Sequence, residues 1–456
     1  MHDSFLPAAQ SPQQWMDLDK THVWHPFTPM RQWADDADDL ARVITDGDGF
    51  DLIDAKGRRF IDGFSSLWCN LHGHRVPAID EAIKAQLGHI AHSTMLGHTS
   101  VPAIRLAEKL VEISPAGLEK VFYSDSGATA VEIAMKMAYQ SCYNRGETTR
   151  SRFIALGNSY HGDTIGSVSL GGIGLFHRIF KPLLFEAHFV DSPCEFYHDA
   201  GERAGEVSLG QMRALLEQYP GEVCAVIMEP LMQGAAGMLN HPVGYLRAVR
   251  ELTREFGVLL IVDEVATGFC STGKMFACNH EDVSPDLMCL GKKITGGYLP
   301  IAATLATKEV FDAFLGDIDE GKTFYHGHTF TGNALGCAAA VAALELIDET
   351  NLLEQLPAKV ELISSKLDAI REHPNVGDIR QVGLMTGIEL VASDARPFDP
   401  ASRTGVAVCK AARKHGVIIR PLGDVVVLMP APAMDLATLE RLLDATILSI
   451  QDHFSE

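Results

Sequence analysis

Short apolar runs alternate with amphipathic helical segments through the middle of the chain, and this alternation restricts the fold more than any other feature. The runs are continuous, with no polar residue at every second position, and they are KVFYSDSG, RFIALGN, VCAVIMEP, GVLLIVDE and DLMCLGK. A strand that is apolar on both faces must be covered on both faces, as in parallel sheets whose strands are joined by helices. We therefore predict an α/β fold with a mostly parallel sheet between helices.

The pattern changes near residues 76 and 340, and these changes predict the domain organisation. Residues 1–75 carry aromatic and Pro/Gly-rich segments, and FDLIDAKGRRFIDG has the pattern of a β-hairpin with Lys56-Gly57 at its turn. Residues 76–340 contain the alternation and are predicted to form the large domain. Residues 341–456 contain long helices and short strands, with VGLMTGIEL and DVVVLMP as strands, which suits a smaller α/β domain.

Composition and charge argue against several other classes of protein. The formal net charge of -21 makes a nucleic acid or an anionic membrane a poor partner. No apolar run is long enough to span a bilayer, and the N-terminus lacks the basic and apolar regions of a secretory signal. The nine cysteines form no CxxC pair, which indicates reduced core residues of a cytoplasmic protein. The histidines in YHGHTF and HGH lack the usual context of metal ligands, so no metal site is predicted.

Polar residues follow the apolar runs, at the carboxyl ends of the predicted strands, where open parallel sheets bind their ligands. In SDSGATAVE a strand ends and a helix begins, and the helix N–H groups with the Ser126 and Thr129 hydroxyls suit a phosphate. Taken alone, a plain helix N-cap with Glu132 in the first turns is the stronger interpretation of this segment.

Charged residues follow two further runs. Asp263 and Glu264 end a very apolar strand, and a carboxylate there needs a cationic or hydrogen-bonding partner, either a structural ion pair or a pyridinium N–H. Lys292 and Lys293 follow the next run, about one helix-plus-strand unit later, so the two strand ends are expected at the same edge. A buried lysine is costly unless it is bonded or neutralised, for example as an imine with an aldehyde.

Tyr160, in GNSYHGDT, supplies a fourth signal because it follows a strand and can stack on an aromatic ring, although ordinary packing is the alternative. Each of these signals is weak by itself. Together they provide a phosphate site, a carboxylate for a ring nitrogen, a lysine for an aldehyde and a stacking ring. These are the groups that hold pyridoxal 5′-phosphate (PLP), and we predict PLP as the cofactor.

The same segments carry a resemblance to a known family. The segments FYSDSGATAVEIAMKMA, YHGDTIGS, IMEPLMQGAAGM, LLIVDEVATGF and LGKKITGG resemble the class III aminotransferases, and the resemblance covers nearly the whole chain. It implies the fold-type I PLP architecture, with a seven-stranded sheet in the large domain and a smaller domain formed by both termini. It also implies a homodimer with shared active sites and small-molecule substrates, namely an amine donor and a keto acceptor.

The resemblance assigns the catalytic roles to three residues. Lys292, directly after Leu-Gly, is expected to form the Schiff base with the cofactor, and Lys293 is expected to be only a neighbour. Asp263 is expected to face the pyridine nitrogen. Tyr160 and Val265 are expected to pack against opposite faces of the ring.

The remaining cofactor contacts follow from the same resemblance. Ser126, Gly127 and Ala128 are expected to hold the phosphate. Thr329, in GHTFTGN, is expected to reach the phosphate of the cofactor in the partner subunit. Glu229, in the IMEP segment, is expected to support the site through hydrogen bonds.

Further segments resemble a branch of the family that acts in biotin synthesis. These are VWHPFTPMRQW and DGFSSLWCNLHGH, and they imply 8-amino-7-oxononanoate as the acceptor. Arg420, in IIRPLG, is expected to pair with a substrate carboxylate through its planar guanidinium. Phe27, Leu67, Trp68 and Val427 are the other expected substrate contacts.

The amino donor stays open between lysine, S-adenosylmethionine and another amine. The segments LGHIAHSTMLGHT, FYHGHTFTGN and IIRPLGDVV resemble members thought to use lysine. The better-known branch of the biotin-synthesis aminotransferases has Tyr, Trp and Tyr where this chain has Phe27, Leu67 and Val427. In addition, Cys270 and Ser271 stand where the family has Gly and Arg.

Three other functions compete with this interpretation. A broad ω-amine:pyruvate aminotransferase shares the cofactor motifs and differs only in its pocket residues. A PLP-binding regulatory module without turnover is disfavoured, because Lys292, Asp263 and Tyr160 are all present and no basic DNA-binding segment is appended. A nicotinamide dehydrogenase is weaker still, since GGIG at 171–174 lacks the full glycine fingerprint.

Overall fold

The computed structural model describes residues 11–35 and 43–455 of the 456-residue chain. Its helices are α1 Pro12–His22, α2 Met30–Asp35, α3 Ser65–Trp68, α4 Pro77–Leu87, α5 Val101–Ile113, α6 Gly127–Asn144, α7 Ile165–Ser169, α8 Gly174–His177, α9 Ala204–Gln218, α10 Tyr245–Glu255, α11 Lys308–Asp312, α12 Ala334–Glu349, α13 Leu352–Leu367, α14 Thr404–Ala411 and α15 Leu436–Ser455. Its strands are β1 Ile44–Asp48, β2 Asp51–Asp54, β3 Arg59–Asp62, β4 Leu118–Ser124, β5 Arg152–Leu156, β6 His188–Val190, β7 Val223–Met228, β8 Met232–Gln233, β9 Leu239–Asn240, β10 Leu259–Asp263, β11 Leu287–Leu290, β12 Ala302–Thr307, β13 Val376–Val382, β14 Met385–Leu390, β15 Val417–Ile418, β16 Arg420–Leu422 and β17 Val425–Leu428.

Seven strands form the central sheet, in the order β4-β12-β11-β10-β7-β5-β6. Strand β12 runs antiparallel to both of its neighbours. The other pairs in this sheet are parallel. The prediction of an α/β fold with a mostly parallel seven-stranded sheet is therefore confirmed.

Both faces of the central sheet are covered, which explains why its strands read as continuous apolar runs. All five residues of β10 are buried. Leu260 packs on one face in a cluster with Leu246 of α10, and Ile261 packs on the other in a cluster with Ala134 of α6. Because successive side chains of a strand point to opposite faces, both sets of positions must be apolar.

Strands β10 and β11 end at the same edge of the sheet, as the sequence predicts, since Asp263 and Cys289 are partners in the parallel register. The connection between them differs from the prediction, because it contains only the short 3-10 helix Ala277–His280 where we predicted an α-helix. The buried carboxylate of Glu264 accepts hydrogen bonds from the first two N–H groups of this short helix, at 3.0 and 2.8 Å. These two bonds tie the connection directly to the end of β10.

Strands from both ends of the chain share a second sheet. Strands β2 and β3 form the predicted antiparallel hairpin, and β1 extends it. Strand β15 pairs with β3 in the parallel sense, so a strand from the C-terminal part completes the N-terminal sheet. A further antiparallel sheet has the order β13-β14-β17-β16. The domain boundaries after residues 75 and 340 stay a prediction.

One predicted strand is divided by a turn. The segment VGLMTGIEL begins at the last residue of β13 and continues as β14, with a turn at Gly383 and Leu384 between them. Gly383 has φ +62, and a Cβ atom there would lie 2.1 Å from the carbonyl carbon of Thr272. The turn therefore requires glycine, and it ends the strand pattern earlier than the apolar residues alone suggest.

Eight of the nine cysteines are buried, and Cys69 is half-buried, in keeping with their prediction as core residues. Within residues 11–35 and 43–455, no helix combines the length and the apolar character needed to cross a membrane. The same residues contain no group of three His, Cys, Asp or Glu side chains placed to hold a metal ion.

Candidate active site

A cavity of about 490 Å³ lies at the carboxyl ends of the central strands. Nine of the predicted site residues line it, and they are Trp68, Ser126, Gly127, Ala128, Tyr160, Glu229, Asp263, Val265 and Lys292. A larger cavity of about 700 Å³ lies between α4, α5 and α12, and none of the predicted site residues lines it. The chemistry suggested by the sequence is therefore concentrated in the first cavity.

The start of helix α6 forms one wall of this cavity. Ser126 is the N-cap, with its Oγ accepting a hydrogen bond from the Thr129 N–H at 3.3 Å, and Thr129 Oγ1 accepts one from the Ser126 N–H at 3.0 Å. The predicted N-cap is therefore present, but the residue that bonds back to it is Thr129 and not Glu132. The Glu132 carboxylate accepts a hydrogen bond from Thr164 Oγ1 at 2.5 Å. The first N–H groups of a helix have no acceptor within it, so this wall suits an anion such as phosphate.

Two glycines allow the helix start to lie close to the rest of the site. A Cβ atom on Gly127 would lie 2.4 Å from Cγ1 of Val265, and one on Gly162, where φ is +121, would lie 2.3 Å from Cβ of Ala128. Neither position has room for a side chain. The glycines in SDSG and YHGD are therefore needed to bring these segments together.

Asp263 lies at the end of β10 with its carboxylate held in place. Oδ2 is 2.7 Å from Nδ1 of His161, and Oδ1 accepts a hydrogen bond from the Val265 N–H at 3.0 Å. Both Asp263 and His161 are buried, and Nε2 of His161 has no hydrogen-bond partner within the described residues. His161 was not predicted, although its place directly after Tyr160 in YHGDT was a usable signal.

Glu229 braces the turn that carries Tyr160. Its Oε1 accepts a hydrogen bond from the Tyr160 N–H at 3.0 Å, and its Oε2 accepts one from the Gly234 N–H at 2.9 Å. Burial raises the pKa of Glu229 to about 7. Glu229 thus links two loops through backbone hydrogen bonds.

The two consecutive lysines have different surroundings. Lys292 is partly exposed to the cavity, and its Nζ lies 5.5 Å from the centroid of the Trp68 ring. Burial lowers the pKa of Lys292, although Asp263 and Glu229 act in the opposite direction. Lys293 is only 1% exposed, and its Nζ donates a hydrogen bond to the carbonyl oxygen of Trp68 at 2.9 Å. Of the pair, Lys292 is therefore the lysine that lines the cavity.

Successive contacts between aromatic side chains connect Phe27, which lies outside the cavity lining, to Tyr160, which lines the cavity. Tyr160 donates its hydroxyl to Oδ2 of Asp163 at 2.7 Å, and its ring centroid lies 6.2 Å from that of Phe176. Phe176 in turn lies 5.3 Å from Phe27, which is 56% exposed, and His177 stacks on Tyr160. Phe176 and His177 were not predicted, because nothing in their local sequence shows that they meet Tyr160.

Helix α3 is a left-handed turn. The φ values of its residues, Ser65–Trp68, are 52°, 49°, 71° and 67°, and none of them is glycine. Each such residue costs about 1–2 kcal/mol relative to the right-handed conformation, so the surrounding structure must hold the turn. Asp62 accepts hydrogen bonds from the N–H and the hydroxyl of Ser66, at 3.0 and 2.7 Å. The turn places Trp68 against the cavity and leaves Leu67 47% exposed.

Arg420 lies outside the cavity lining, on strand β16. It is half-buried, and within the described residues no carboxylate lies within 4.0 Å of its guanidinium. Burial lowers the pKa of Arg420. A partly buried arginine that has no acidic partner among the described residues can receive an anion from outside the chain.

Four other predicted residues also lie outside the cavity lining, and they are Phe27, Leu67, Val427 and Thr329. Val427 is 1% exposed and packs in an apolar cluster with Trp68 and Met385, so it lies behind the cavity wall. Thr329 is exposed and follows His328, whose Nδ1 lies 2.8 Å from Oδ2 of Asp125. None of these four residues lines the cavity that Lys292 lines.

Cys270 and Ser271, which stand where the family has Gly and Arg, are both buried in the connection between β10 and β11. Cys270 has φ 73°, and burial raises the pKa of its thiol to about 12. Ser271 is 1% exposed, donates its hydroxyl to the Gly268 carbonyl at 2.8 Å, and accepts a backbone bond from Leu384. Ser271 is therefore a structural residue of this loop.

Comparison with known proteins places the whole chain in a defined group. The family model described as "Aminotransferase class-III" matches residues 33–449. An adenosylmethionine-8-amino-7-oxononanoate aminotransferase from Nitratidesulfovibrio vulgaris is 50% identical, over 98% of this chain and 84% of its own length. The crystal structure of the aminotransferase with the same name from Methanocaldococcus jannaschii has a TM-score of 0.91 and 43% identity, covering 96% of this chain and 99% of that one. The crystal structure of an ω-transaminase from Pseudomonas jessenii in complex with PMP has a TM-score of 0.91 and 29% identity, covering 96% and 98%.

Proposed function

This chain belongs to the class-III aminotransferases, and from that membership we propose that it transfers an amino group to 8-amino-7-oxononanoate with PLP bound in the cavity beside Lys292. The observation that carries the proposal is the arrangement of one cavity-lining lysine, one held carboxylate and one helix start around a single cavity.

The residues of the cavity fit PLP. The first turn of α6, with the Ser126 hydroxyl, offers hydrogen-bond donors to the phosphate group. Asp263 offers a buried carboxylate to the ring nitrogen, and Lys292 offers an amine to the aldehyde. Val265 and Tyr160, which line the same cavity, would hold the ring between them.

PLP, when bound, links covalently to an amine and accepts the electron pair released when a proton leaves the adjacent carbon atom. Lys292 supplies the group that moves this proton, because its lowered pKa favours a neutral amine that can take the proton and return it. Asp263 would keep the ring nitrogen protonated, and His161 fixes the orientation of the Asp263 carboxylate. Donor and acceptor use the same residues in turn, which gives ping-pong kinetics.

We propose that the enzyme is a homodimer with shared sites. Thr329 is exposed and lies outside the cavity of its own chain. Its position supports the role that the resemblance assigns to it, a contact with the cofactor phosphate in the partner subunit. The nine cysteines, which are all free thiols, are in keeping with a cytoplasmic location.

The acceptor is proposed from the relatives and from the walls of the site. The two compared relatives named for amination of 8-amino-7-oxononanoate are 50% and 43% identical, whereas the ω-transaminase is 29% identical. Trp68 lines the cavity, and Phe27 and Leu67 are exposed apolar side chains outside its lining; we propose that all three offer apolar surface to the methylene chain, where each buried methylene contributes about 0.8 kcal/mol. We propose that Arg420, which lies outside the lining of this cavity, binds the terminal carboxylate.

The amino donor that we favour is lysine or another simple amine. Phe27 lacks the hydroxyl of the tyrosine that the better-known branch of the biotin-synthesis aminotransferases has at this position. Val427 contributes less to this argument than its sequence suggested, because it packs behind Trp68. An ω-amine:pyruvate aminotransferase stays the second candidate, since the apolar surface around Trp68 also suits aryl amines.

Complementation tests the proposed acceptor. A biotin-requiring strain that lacks the amination of 8-amino-7-oxononanoate is expected to grow without biotin when it expresses this chain. A matched strain expressing Lys292→Ala is the control and is expected not to grow. Purified enzyme assayed with lysine and S-adenosylmethionine then identifies the donor. Failure to complement, together with fast turnover of pyruvate and aryl amines, would favour the second candidate.

Arg420→Ala tests the carboxylate site. The loss of one charge-assisted contact is expected to cost roughly 1.5–3 kcal/mol, or about one to two orders of magnitude in kcat/KM, for substrates with a carboxylate. Amines without a carboxylate are expected to be little affected. Arg213→Ala, which removes an exposed arginine paired with Glu255, is the control. Equal losses for 1-phenylethylamine and for carboxylate substrates would contradict the assignment.

A further inference from the structure

Lys293 is a buried lysine that the proposed chemistry does not use. Its side chain is 1% exposed, and no carboxylate lies within 4.0 Å of its Nζ in the part of the chain that the structure describes. The titratable groups that face it are Lys292 and the thiols of Cys69 and Cys270. Its hydrogen-bond acceptor is the carbonyl oxygen of Trp68, at 2.9 Å. Its burial is costly, which points to a specific role for this bond.

The accepting carbonyl belongs to the last residue of the left-handed turn α3. Asp62 holds the turn through Ser66, and the Ser65 hydroxyl donates to the Met429 carbonyl at 2.5 Å. Lys293 holds the other end of the turn, because its Nζ donates a hydrogen bond to the carbonyl oxygen of Trp68, the last residue of the turn. A turn of four non-glycine residues with positive φ persists only where its surroundings fix it, so both ends need such contacts.

Trp68 is fixed between the two lysines. Its ring lies 5.5 Å from Lys292 Nζ, on the cavity side, while its carbonyl oxygen is bound by Lys293. Gly234 approaches the ring so closely that a Cβ atom there would lie 3.1 Å from it. The ring is only 7% exposed and packs in an apolar cluster with Val427. A small change in the turn would therefore move a side chain that forms a wall of the cavity.

We propose that Lys293 is a positioning residue, which holds the left-handed turn closed through the Trp68 carbonyl and thereby sets the Trp68 indole against the substrate cavity. The importance of this position for substrates rests on the proposed function, whereas the bond to Trp68 does not. The role needs a hydrogen-bond donor and not a charge. Burial lowers the pKa of Lys293 to about 7, and both the ammonium and the neutral amine can donate.

The position of Trp68 can be followed without any substrate. The chain has four tryptophans, and replacing Trp15, Trp24 and Trp33 with phenylalanine leaves Trp68 as the single indole fluorophore. In this background Lys293→Met removes the donor at similar volume, and we expect red-shifted emission and stronger quenching by acrylamide. Lys293→Gln keeps a donor and is expected to stay closer to the parent.

Lys359→Met is the matched control. Lys359 is 3% exposed and donates to the Pro432 carbonyl at 2.7 Å, so it is also a buried lysine on a backbone acceptor. Both methionine variants are expected to change Tm. Only Lys293→Met is expected to change the quenching of Trp68, which separates positioning from a general loss of stability.

Measurements of KM and kcat test whether the position of Trp68 affects the reaction. Lys293→Met is expected to raise KM about tenfold, which corresponds to about 1.4 kcal/mol, with a much smaller change in kcat. In a Trp68→Ala background the same substitution is expected to add little, because the indole through which Lys293 is proposed to affect the cavity is already absent. Unchanged quenching of Trp68 in Lys293→Met, or quenching changed equally in Lys359→Met, would overturn the proposal. If the unmodified enzyme shows no amino transfer, the proposed function fails, while the fluorescence still decides the role of Lys293.

Discussion

Replacing Lys292 with alanine is expected to lower amino transfer by at least about 10²–10⁴-fold while the chain stays folded. The substitution removes the amine that we propose moves the proton, and proton transfer by a positioned side chain contributes about this factor. It also removes the proposed covalent link to the cofactor aldehyde, so the full loss is expected to be larger. The fold is expected to survive because Lys292 is partly exposed to the cavity and makes no hydrogen bond in the described part of the chain.

Borohydride reduction of the unmodified enzyme, followed by peptide mapping, checks the assignment directly. The pyridoxyl label is expected on Lys292, and circular dichroism of the alanine variant is expected to match the unmodified enzyme. Lys293 is the internal control, because it is adjacent in sequence but bonded to the Trp68 carbonyl. A label on Lys293, or on no lysine, would be incompatible with the site as described.

Asp263→Asn is expected to lower the rate of the chemical step by about 10²–10³-fold while the cofactor still binds. A neutral amide keeps a hydrogen-bonding side chain beside His161 but cannot keep the ring nitrogen protonated as a carboxylate does. The loss of one preorganised electrostatic contact in a buried site has an effect of this order. Single-turnover kinetics measure it without interference from product release.

Asp54→Asn is the control for Asp263→Asn. Asp54 is also a buried carboxylate, 1% exposed, but it is paired with Arg58 in the β2–β3 hairpin. Its replacement is expected to lower Tm without changing the rate of the chemical step. A near-normal single-turnover rate in Asp263→Asn would show that Asp263 does not face the reacting ring.

The sheet and the strand ends could be predicted because their signals are local. The run LLIVD is buried on both faces, and Asp263 follows it directly, so residue order alone placed a carboxylate at the rim. The two lysines could be placed at the next strand end for the same reason. Sequence order could not show that Lys292 reaches the cavity while Lys293 contacts Trp68, because that contact joins residues 225 positions apart.

The missed features depend on contacts between distant segments. The left-handed turn Ser65–Trp68 has no glycine to signal it, and its conformation depends on Asp62, Met429 and Lys293. In VVVL every residue is buried, so the pattern could not show that Val427 faces the cluster behind Trp68.

The central claim is tested most directly by one half-reaction. The enzyme is loaded with pyridoxamine 5′-phosphate and mixed with 8-amino-7-oxononanoate without an amino donor, and the products are measured by mass spectrometry and by cofactor absorbance. We predict one 7,8-diaminononanoate formed per active site, with the cofactor converted to PLP, and no detectable product from Lys292→Ala within the time in which the unmodified enzyme completes this turnover. An unchanged acceptor, with pyruvate converted to alanine under the same conditions, would contradict the account.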